Sequence, residues 1–230
     1  MTRIIYLGQA GLLFESRCKK IMIDPYLSDG VAKFEPKNKR RIAVDETFFS
    51  EKPDVLIITH NHGDHYDKET FSRFVNEKSA VKVLCPYSVW CDARKIGGDN
   101  HFILFDAGTS VTADGFVFTA VKAVHSDVYS IGVIITIDNE NFYITGDTLY
   151  SEKVFASLPD IKFKCVFLPI NGVGNNMNAN DAVRFINRLD VEYAVPMHFG
   201  LFDTMNGSEL KTEKSRIPKI YKEIVLNESN

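Results

Sequence analysis

Thr59-His60-Asn61-His62-Gly63-Asp64-His65 sets three imidazoles and a carboxylate within six residues, directly after the apolar run Val55-Leu56-Ile57-Ile58. Such a run reads as a short buried strand, so the cluster falls where a strand ends. A lone histidine is usually a packed or solvated ring. Three this close, with Asp64 between the second and third, are hard to explain by packing and outline a metal site. Gly63 is expected to let the backbone turn sharply so that neighbouring side chains converge on one point.

One heptapeptide cannot close two coordination spheres, so further ligands are sought elsewhere. The remaining histidines are His101, His125 and His198. His125 follows the alternating run Phe116-Val117-Phe118-Thr119-Ala120-Val121-Lys122-Ala123-Val124, and His198 follows Glu192-Tyr193-Ala194-Val195-Pro196-Met197. Asp147 comes likewise after Phe142-Tyr143-Ile144-Thr145-Gly146. Four ligand-type segments just beyond apolar strands fit sheets whose carboxyl edges meet at one cleft. His101 follows the Gly97-Gly98-Asp99-Asn100 turn and reads as a surface residue.

These residues resemble the metallo-β-lactamase fold superfamily of hydrolases over nearly the whole chain. The resemblance implies a first metal held by His60, His62 and His125, a second held by Asp64, His65 and His198, and Asp147 bridging both. An aspartate at Gly146-Asp147-Thr148 resembles the branch with glyoxalase II, the tRNA-processing endonucleases and the lactonases; true β-lactamases lack it. Flavodiiron oxygen reductases carry glutamate where this chain has His62, which weighs against a redox role. Tyr6-Leu7-Gly8-Gln9-Ala10-Gly11, Ile23-Asp24-Pro25-Tyr26-Leu27-Ser28-Asp29, Asp64-His65-Tyr66-Asp67 and Pro196-Met197-His198-Phe199 together resemble the L-ascorbate-6-phosphate lactonase-like group. Gln9 departs from many relatives, which have histidine there.

A chain of 230 residues, 45% hydrophobic, can bury a substantial core in a single domain spanning residues 1–230. Cys18, Cys85, Cys91 and Cys165 show no Cys-x-x-Cys pairing, so reduced thiols in a cytoplasmic protein are expected, and none is a ligand. Gln9, Glu15 and Arg17 interrupt the amino-terminal apolar stretch before it reaches signal-peptide or membrane-spanning form. A net charge of -3 gives no basic field for nucleic acid.

Strands are expected over 3–8, 11–15 and 19–24 as an antiparallel meander, then near 81–85 and in a series between 102 and 146. Asp67 is placed to cap a helix through Val75, with further helices near 87–96, 180–189 and 208–225. Asn180 is the expected cap of the third, and Pro218 interrupts the last. Strand-rich halves that each carry helices suggest an α/β four-layer αββα sandwich, which the resemblance also implies. The halves are expected to divide at the Asp114-Gly115 turn.

Two divalent ions bring four positive charges. Asp64 and Asp147 remove two and a bridging hydroxide one, so the cleft favours anions. Hydrolysis is the expected reaction, with Asp64 and Asp147 as the catalytic carboxylates: Asp147 spaces the metals, and Asp64 orients the nucleophile or takes its proton. A ligand set without thiolate suits zinc, manganese or iron. Asp24, ending Ile21-Met22-Ile23, is the candidate acceptor for a ligating imidazole's second nitrogen, although a turn-forming Asp-Pro pair explains it equally. Thr148 could hold Asp147 or only its own turn.

For recognition there are the basic stretch Lys33 to Arg41, the polar loop of Asn171, Gly172, Gly174, Asn175 and Asn176, and the aromatics Phe199 and Phe202. A solvated loop, turn chemistry and core packing explain these three equally or better. The expected partner is a small anionic substrate, a lactone or phosphorylated sugar lactone, with homo-oligomers allowed. A phosphodiesterase acting on cyclic nucleotides or short RNA is the alternative, although no basic Gly-rich insertion of the RNA-gripping kind is present. A non-catalytic metal-binding module is the third reading.

Overall fold

Alternation along the strands decides which layer each side chain enters. In β1 (Arg3–Gly8) of the computed structural model, which describes residues 2–226, Ile4 and Tyr6 turn to one face and Ile5 and Leu7 to the other, and all four are buried. A strand apolar on both faces needs cover on both. β2 (Gly11–Ser16) and β3 (Lys19–Ile23) complete the expected antiparallel meander. β4 (Val55–Ile57), β5 (Lys82–Cys85) and β6 (His101–Leu104) then add in parallel to β3.

The second sheet holds β7 (Ser110–Ala113), β8 (Phe116–Lys122), β9 (Ile131–Ile137) and β10 (Glu140–Ile144) in antiparallel order. β11 (Phe163–Pro169) and β12 (Val191–Met197) follow in parallel to β10. The short β13 (Lys222–Glu223) returns to pair with β1.

Three apolar clusters mark the four layers. Between the sheets lie Tyr6, Phe14, Ile23 and Ile57 of the first with Phe118, Ile135, Phe142 and Phe167 of the second. Outside the first sheet, Phe71 and Phe74 of α1 (Lys68–Phe74) and Val89 and Ala93 of α2 (Tyr87–Ala93) cover Leu13, Met22 and Leu56. Outside the second, Val154 of α3 (Glu152–Phe155) and Ala182, Phe185 and Ile186 of α4 (Ala179–Ile186) cover Tyr143, Val166 and Leu168. This is the expected αββα sandwich.

Asp67 caps α1 as expected, its carboxylate accepting from Thr70 N at 3.1 Å and from the Thr70 hydroxyl. Three expectations need correction. The sheets exchange between β6 and β7, in residues 105–109, whereas Asp114-Gly115 is the β7–β8 hairpin turn, both residues at positive φ (52° and 83°) as an Asp-Gly turn requires. The cap of α4 is Asn178, whose side chain accepts from Asp181 N at 2.9 Å, not Asn180.

Residues 208–225 form no α-helix: they hold part of the short 3₁₀ turn Gly207–Glu209 and β13. Exposed sheet edges claim this backbone instead. Lys214 O and Arg216 N bond Ala194 of β12, then Tyr221 N and Ile224 N bond Tyr6 O and Ile4 O of β1, so one segment covers an edge of each sheet.

Candidate metal centre

Strands β1, β3 and β4 of one sheet and β8, β10, β11 and β12 of the other all run the same way within their sheets, and their carboxyl ends deliver the site. Gln9, Asp24 and the His60–His65 segment follow the first three; His125, Asp147, Asn171 and His198 follow the others. The turns are tight. Gln9, Asp24 and His198 adopt positive φ (53°, 42° and 59°), a conformation that costs energy in non-glycine residues and clusters at functional sites. Gly146 has φ 61°, and a Cβ there would lie 2.5 Å from Ile131 O, so only glycine fits. Gly63 is different: its φ is not positive and a Cβ would meet only Val31, at 3.4 Å, so the expected turn-making role is not needed. The turn is closed by His65 N and Tyr66 N on His62 O.

The seven expected ligands come together. Ring centroids of His60 and His62 lie 4.8 Å from that of His125, and those of His65 and His198 are 5.7 Å apart. Donor atoms of His60, His62 and His125 lie within 4.8 Å of one another, as do those of Asp64, His65 and His198. Asp147 Oδ2 sits between the sets, 3.8 Å from His125 Nε2, 3.5 Å from His65 Nε2 and 3.2 Å from His198 Nε2.

Four of the imidazoles have one nitrogen tied outward and the other turned inward. Nδ1 of His65 lies 2.7 Å from Asp24 Oδ2. The Thr59 hydroxyl donates to that same oxygen at 2.6 Å, so its lone pair faces Nδ1 of His60 at 3.0 Å. His125 Nδ1 lies 3.2 Å from the Asn175 carbonyl, which can only accept, and His62 Nε2 lies 3.2 Å from Ser126 Oγ. What remains inward is Nε2 of His60, His65 and His125 and Nδ1 of His62; the Nε2 atoms of His60 and His65 are buried without any hydrogen-bond partner. Orphaned buried nitrogens demand an explanation, and an ion supplies it. The residues therefore fit a metal site.

His198 adds a test of side-chain orientation. Its Nε2 faces Asp64 and Asp147, so Nδ1 must carry the proton if Nε2 is to ligate. Asn171 stands 2.9 Å from Nδ1 with its nitrogen, while its Oδ1 is buried and unpartnered. Rotating that amide end for end would let its oxygen accept from Nδ1–H, which favours the ligating tautomer; Gln9 Nε2 also lies 3.1 Å from Nδ1. Gln9 Nε2 donates to Asp64 Oδ2 at 2.8 Å, and Asn176 Nδ2 donates to Asp147 Oδ2 at 2.9 Å.

Without metal, protons answer the carboxylates. Burial opposes charge on His65, but Asp147, Asp24 and Asp64 outweigh it and hold its pKa well above the usual value. His198 is pushed up to about 10 by Asp147 and Asp64 despite burial. Asp64 and Asp147 stay ionised, since His65 and His198 overcome the burial cost. His60 and His125 are held neutral by burial. His60 and His125 are thus ready to ligate, whereas His65 and His198 must shed protons.

Asp24 takes the outward role expected of it. Thr148 does not hold Asp147: its hydroxyl accepts from Val124 N at 2.9 Å and donates to Leu149 O. Of the basic stretch, only Lys37 lines the cleft of about 670 Å³ above the centre. Lys33 pairs with Glu69, and Arg40 bonds Tyr26 O and the Tyr221 hydroxyl. Asn171, Asn175 and Asn176 line the cleft, as does Phe202, whereas Phe199 stacks on Tyr6. His101 is exposed on β6. The amide roles of Gln9 and Asn176 were missed by reading only charged residues at strand ends. Asp127 was missed too; it accepts from Asn61 N and Ser88 Oγ and braces the His60–His65 loop against α2.

Two mixed sheets with helices outside, and histidines and aspartates at one rim, define the metallo-β-lactamase fold. The Beta-lactamase superfamily domain model matches residues 19–199, and the chain belongs to that superfamily. It is similar to a metal-dependent hydrolase of Korarchaeum cryptofilum, 28% identical over 224 residues that cover 94% of this chain and 92% of that protein. Among solved structures it is similar to Igni18, a metallo hydrolase from Ignicoccus hospitalis (22% identity, TM-score 0.77, 97% of both chains). It is also similar to an isothiocyanate hydrolase from Delia radicum gut bacteria (20% identity, TM-score 0.75, 97% of this chain and 99% of that one). Among the described residues, no helix is long and apolar enough to cross a membrane.

Proposed function

We propose that this chain is a binuclear metal-dependent hydrolase of a small anionic lactone or phosphorylated sugar lactone, resembling the L-ascorbate-6-phosphate lactonase-like group. The carrying observation is the imidazole arrangement, in which His60, His62, His65 and His125 are each tied outward through one nitrogen and turned inward through the other, around Asp147 Oδ2. His60, His62 and His125 would hold one ion and Asp64, His65 and His198 the other, with Asp147 between. Zinc or manganese suits these donors best, and iron is compatible. Bound, such ions lower the pKa of water to about 7 and polarise a carbonyl oxygen.

The chain's own groups do the rest. Gln9 fixes Asp64 by donating to one oxygen, leaving the other to orient an attacking water or take its proton. Asn176 fixes Asp147. Lys37, among the described residues the one lysine or arginine lining the cleft, supplies a single charge for an anionic substituent, which suits a small molecule better than a nucleic-acid backbone. Elemental analysis of protein purified without chelator, with turnover across lactone, ester and cyclic phosphodiester panels, tests the reading. Two ions per chain and metal-dependent lactone opening are expected, both lost in Asp147→Ala. Preference for cyclic phosphodiesters would transfer the assignment to a phosphodiesterase, and inertness of the metal-loaded protein on every panel would count against an enzyme.

A further inference from the structure

We propose that the substrate carries an apolar acyl or aryl arm beside its scissile bond, gripped at the cleft mouth between Phe34 and Val173. The inference rests on the hydrolase reading, takes the plain lactone rather than the phosphorylated sugar lactone, and concerns the part of the substrate that does not react. Phe34 is 88% exposed and Val173 69% exposed, and both line the cleft above the ligands. Neither belongs to any of the three apolar clusters, so the fold gains nothing from them. One exposed apolar residue needs no explanation, but two on separate loops around one cleft form the apolar wall with polar floor that binds small molecules.

Both loops are braced. The arm bearing Phe34 consists of two short turns, Val31–Lys33 and Pro36–Asn38. At its root, Gly30 N bonds Ser28 Oγ at 2.8 Å and Arg40 N bonds Asp29 Oδ1 at 3.0 Å. Farther along, Arg40 donates to Tyr26 O at 2.6 Å and Arg41 N to Leu201 O at 2.9 Å. Val31 lies over Gly63, 3.4 Å from where a Cβ would stand, so the arm abuts the ligand loop itself. Val173 sits at a turn tip between Gly172 (φ 66°) and Gly174 (φ 69°), closed below by Gly172 N on Met177 O at 3.0 Å and by the Asn171–Asn178 bridge. Side chains carried on braced loops can hold a ligand without the loops first being ordered, which keeps the entropic cost of binding small.

Calorimetric titration of the metal-loaded protein with butyrate and octanoate, simple carboxylates that differ only in tail length, tests the grip. A fully buried methylene gains about 0.8 kcal/mol, roughly fourfold in affinity; half-burial at an open mouth gives about twofold, so octanoate should bind at least about tenfold tighter. Phe34→Ala and Val173→Ser should each erode that preference while metal content and melting temperature hold. Equal affinity for the two acids, binding of neither, or an unchanged preference in both variants overturns the proposal. So does a fall in molecular mass of Phe34→Ala by light scattering, which would make Phe34 a subunit contact. Tail preference in a protein that opens no lactone would remove the lactone reading alone; lactone opening indifferent to tail length would remove only the apolar arm.

Discussion

Replacing Asp24 by asparagine should weaken metal binding while leaving the protein folded. Asp24 is buried and accepts three hydrogen bonds: Thr59 N at 2.8 Å, Thr59 Oγ1 at 2.6 Å and, at 2.7 Å, His65 Nδ1. Alanine would orphan all three donors at about 1–3 kcal/mol for each left unsatisfied. That total approaches the whole stability of a domain, so the alanine variant tests folding only. Asparagine tolerates the left-handed backbone and can keep the Thr59 N bond through its oxygen. Its NH₂ then faces His65 Nδ1, and two donors cannot share that contact. The imidazole relieves it by giving up the Nδ1 proton and keeping the one on Nε2, the nitrogen nearest Asp147. Loss of such an outward acceptor costs about 10–100-fold in metal affinity, or ~1.4–2.7 kcal/mol. Competition against a chromophoric chelator measures the affinity, and melting of the metal-free forms shows that the fold survives. An Asp24→Asn protein that keeps both ions with wild-type affinity would refute the tautomer argument.

Metal uptake should release protons, because His198 titrates near 10 when metal-free. Calorimetry at pH 7.5 in buffers of different ionisation enthalpy should show it, and a buffer-independent enthalpy would contradict it. By the same linkage, the contribution of this raised pKa to metal-free stability is full below about 6.5 and disappears as pH rises through about 10, which melting curves across that window can follow. Chelation should lower the melting temperature by about 5–10 °C per ion removed, since an ion at a hundredfold excess over its Kd adds about 2.7 kcal/mol; an unchanged melting curve would mean that the ligands hold nothing. Gly146→Ala, with its Cβ driven against Ile131 O at positive φ, should cost about 2–4 kcal/mol, and wild-type melting would show that the turn can relax. Asn171→Ala should weaken the second ion about tenfold, with the His198 tautomer readable by nitrogen-15 NMR; a fixed Nδ1–H tautomer in that variant would free Asn171 of the role.

Much of this site is legible in the chain because strand alternation and ligand chemistry act over short distances. The meander, the Asp67 cap and the strand ends before His60, His125, Asp147 and His198 all follow from local patterns. What was misread depends on distant backbone. Residues 208–225 have a sequence compatible with helix, yet they run along β12 and β1 because those edges offer unpaired groups. Asp114-Gly115 signals a turn but cannot say that both flanking strands lie in one sheet. The amides of Gln9, Asn171 and Asn176 carry no charge and no ligand spacing, so only their distances to Asp64, His198 and Asp147 give them meaning. Within the Lys33–Arg41 stretch, composition could not separate Lys37, which faces the cleft, from Arg40, which ties down its own arm.

Because the His60–His65 loop leaves one sheet while His125, Asp147 and His198 leave the other, ions seated among them would clasp the two layers along a single rim. Away from that rim the layers meet through apolar side chains such as Phe14, Phe142 and Phe167. Unfastening the clasp should therefore let the sandwich gape like a book held by its spine, with amide exchange quickening first in the loops beyond β4, β8 and β12 while mid-strand amides stay protected.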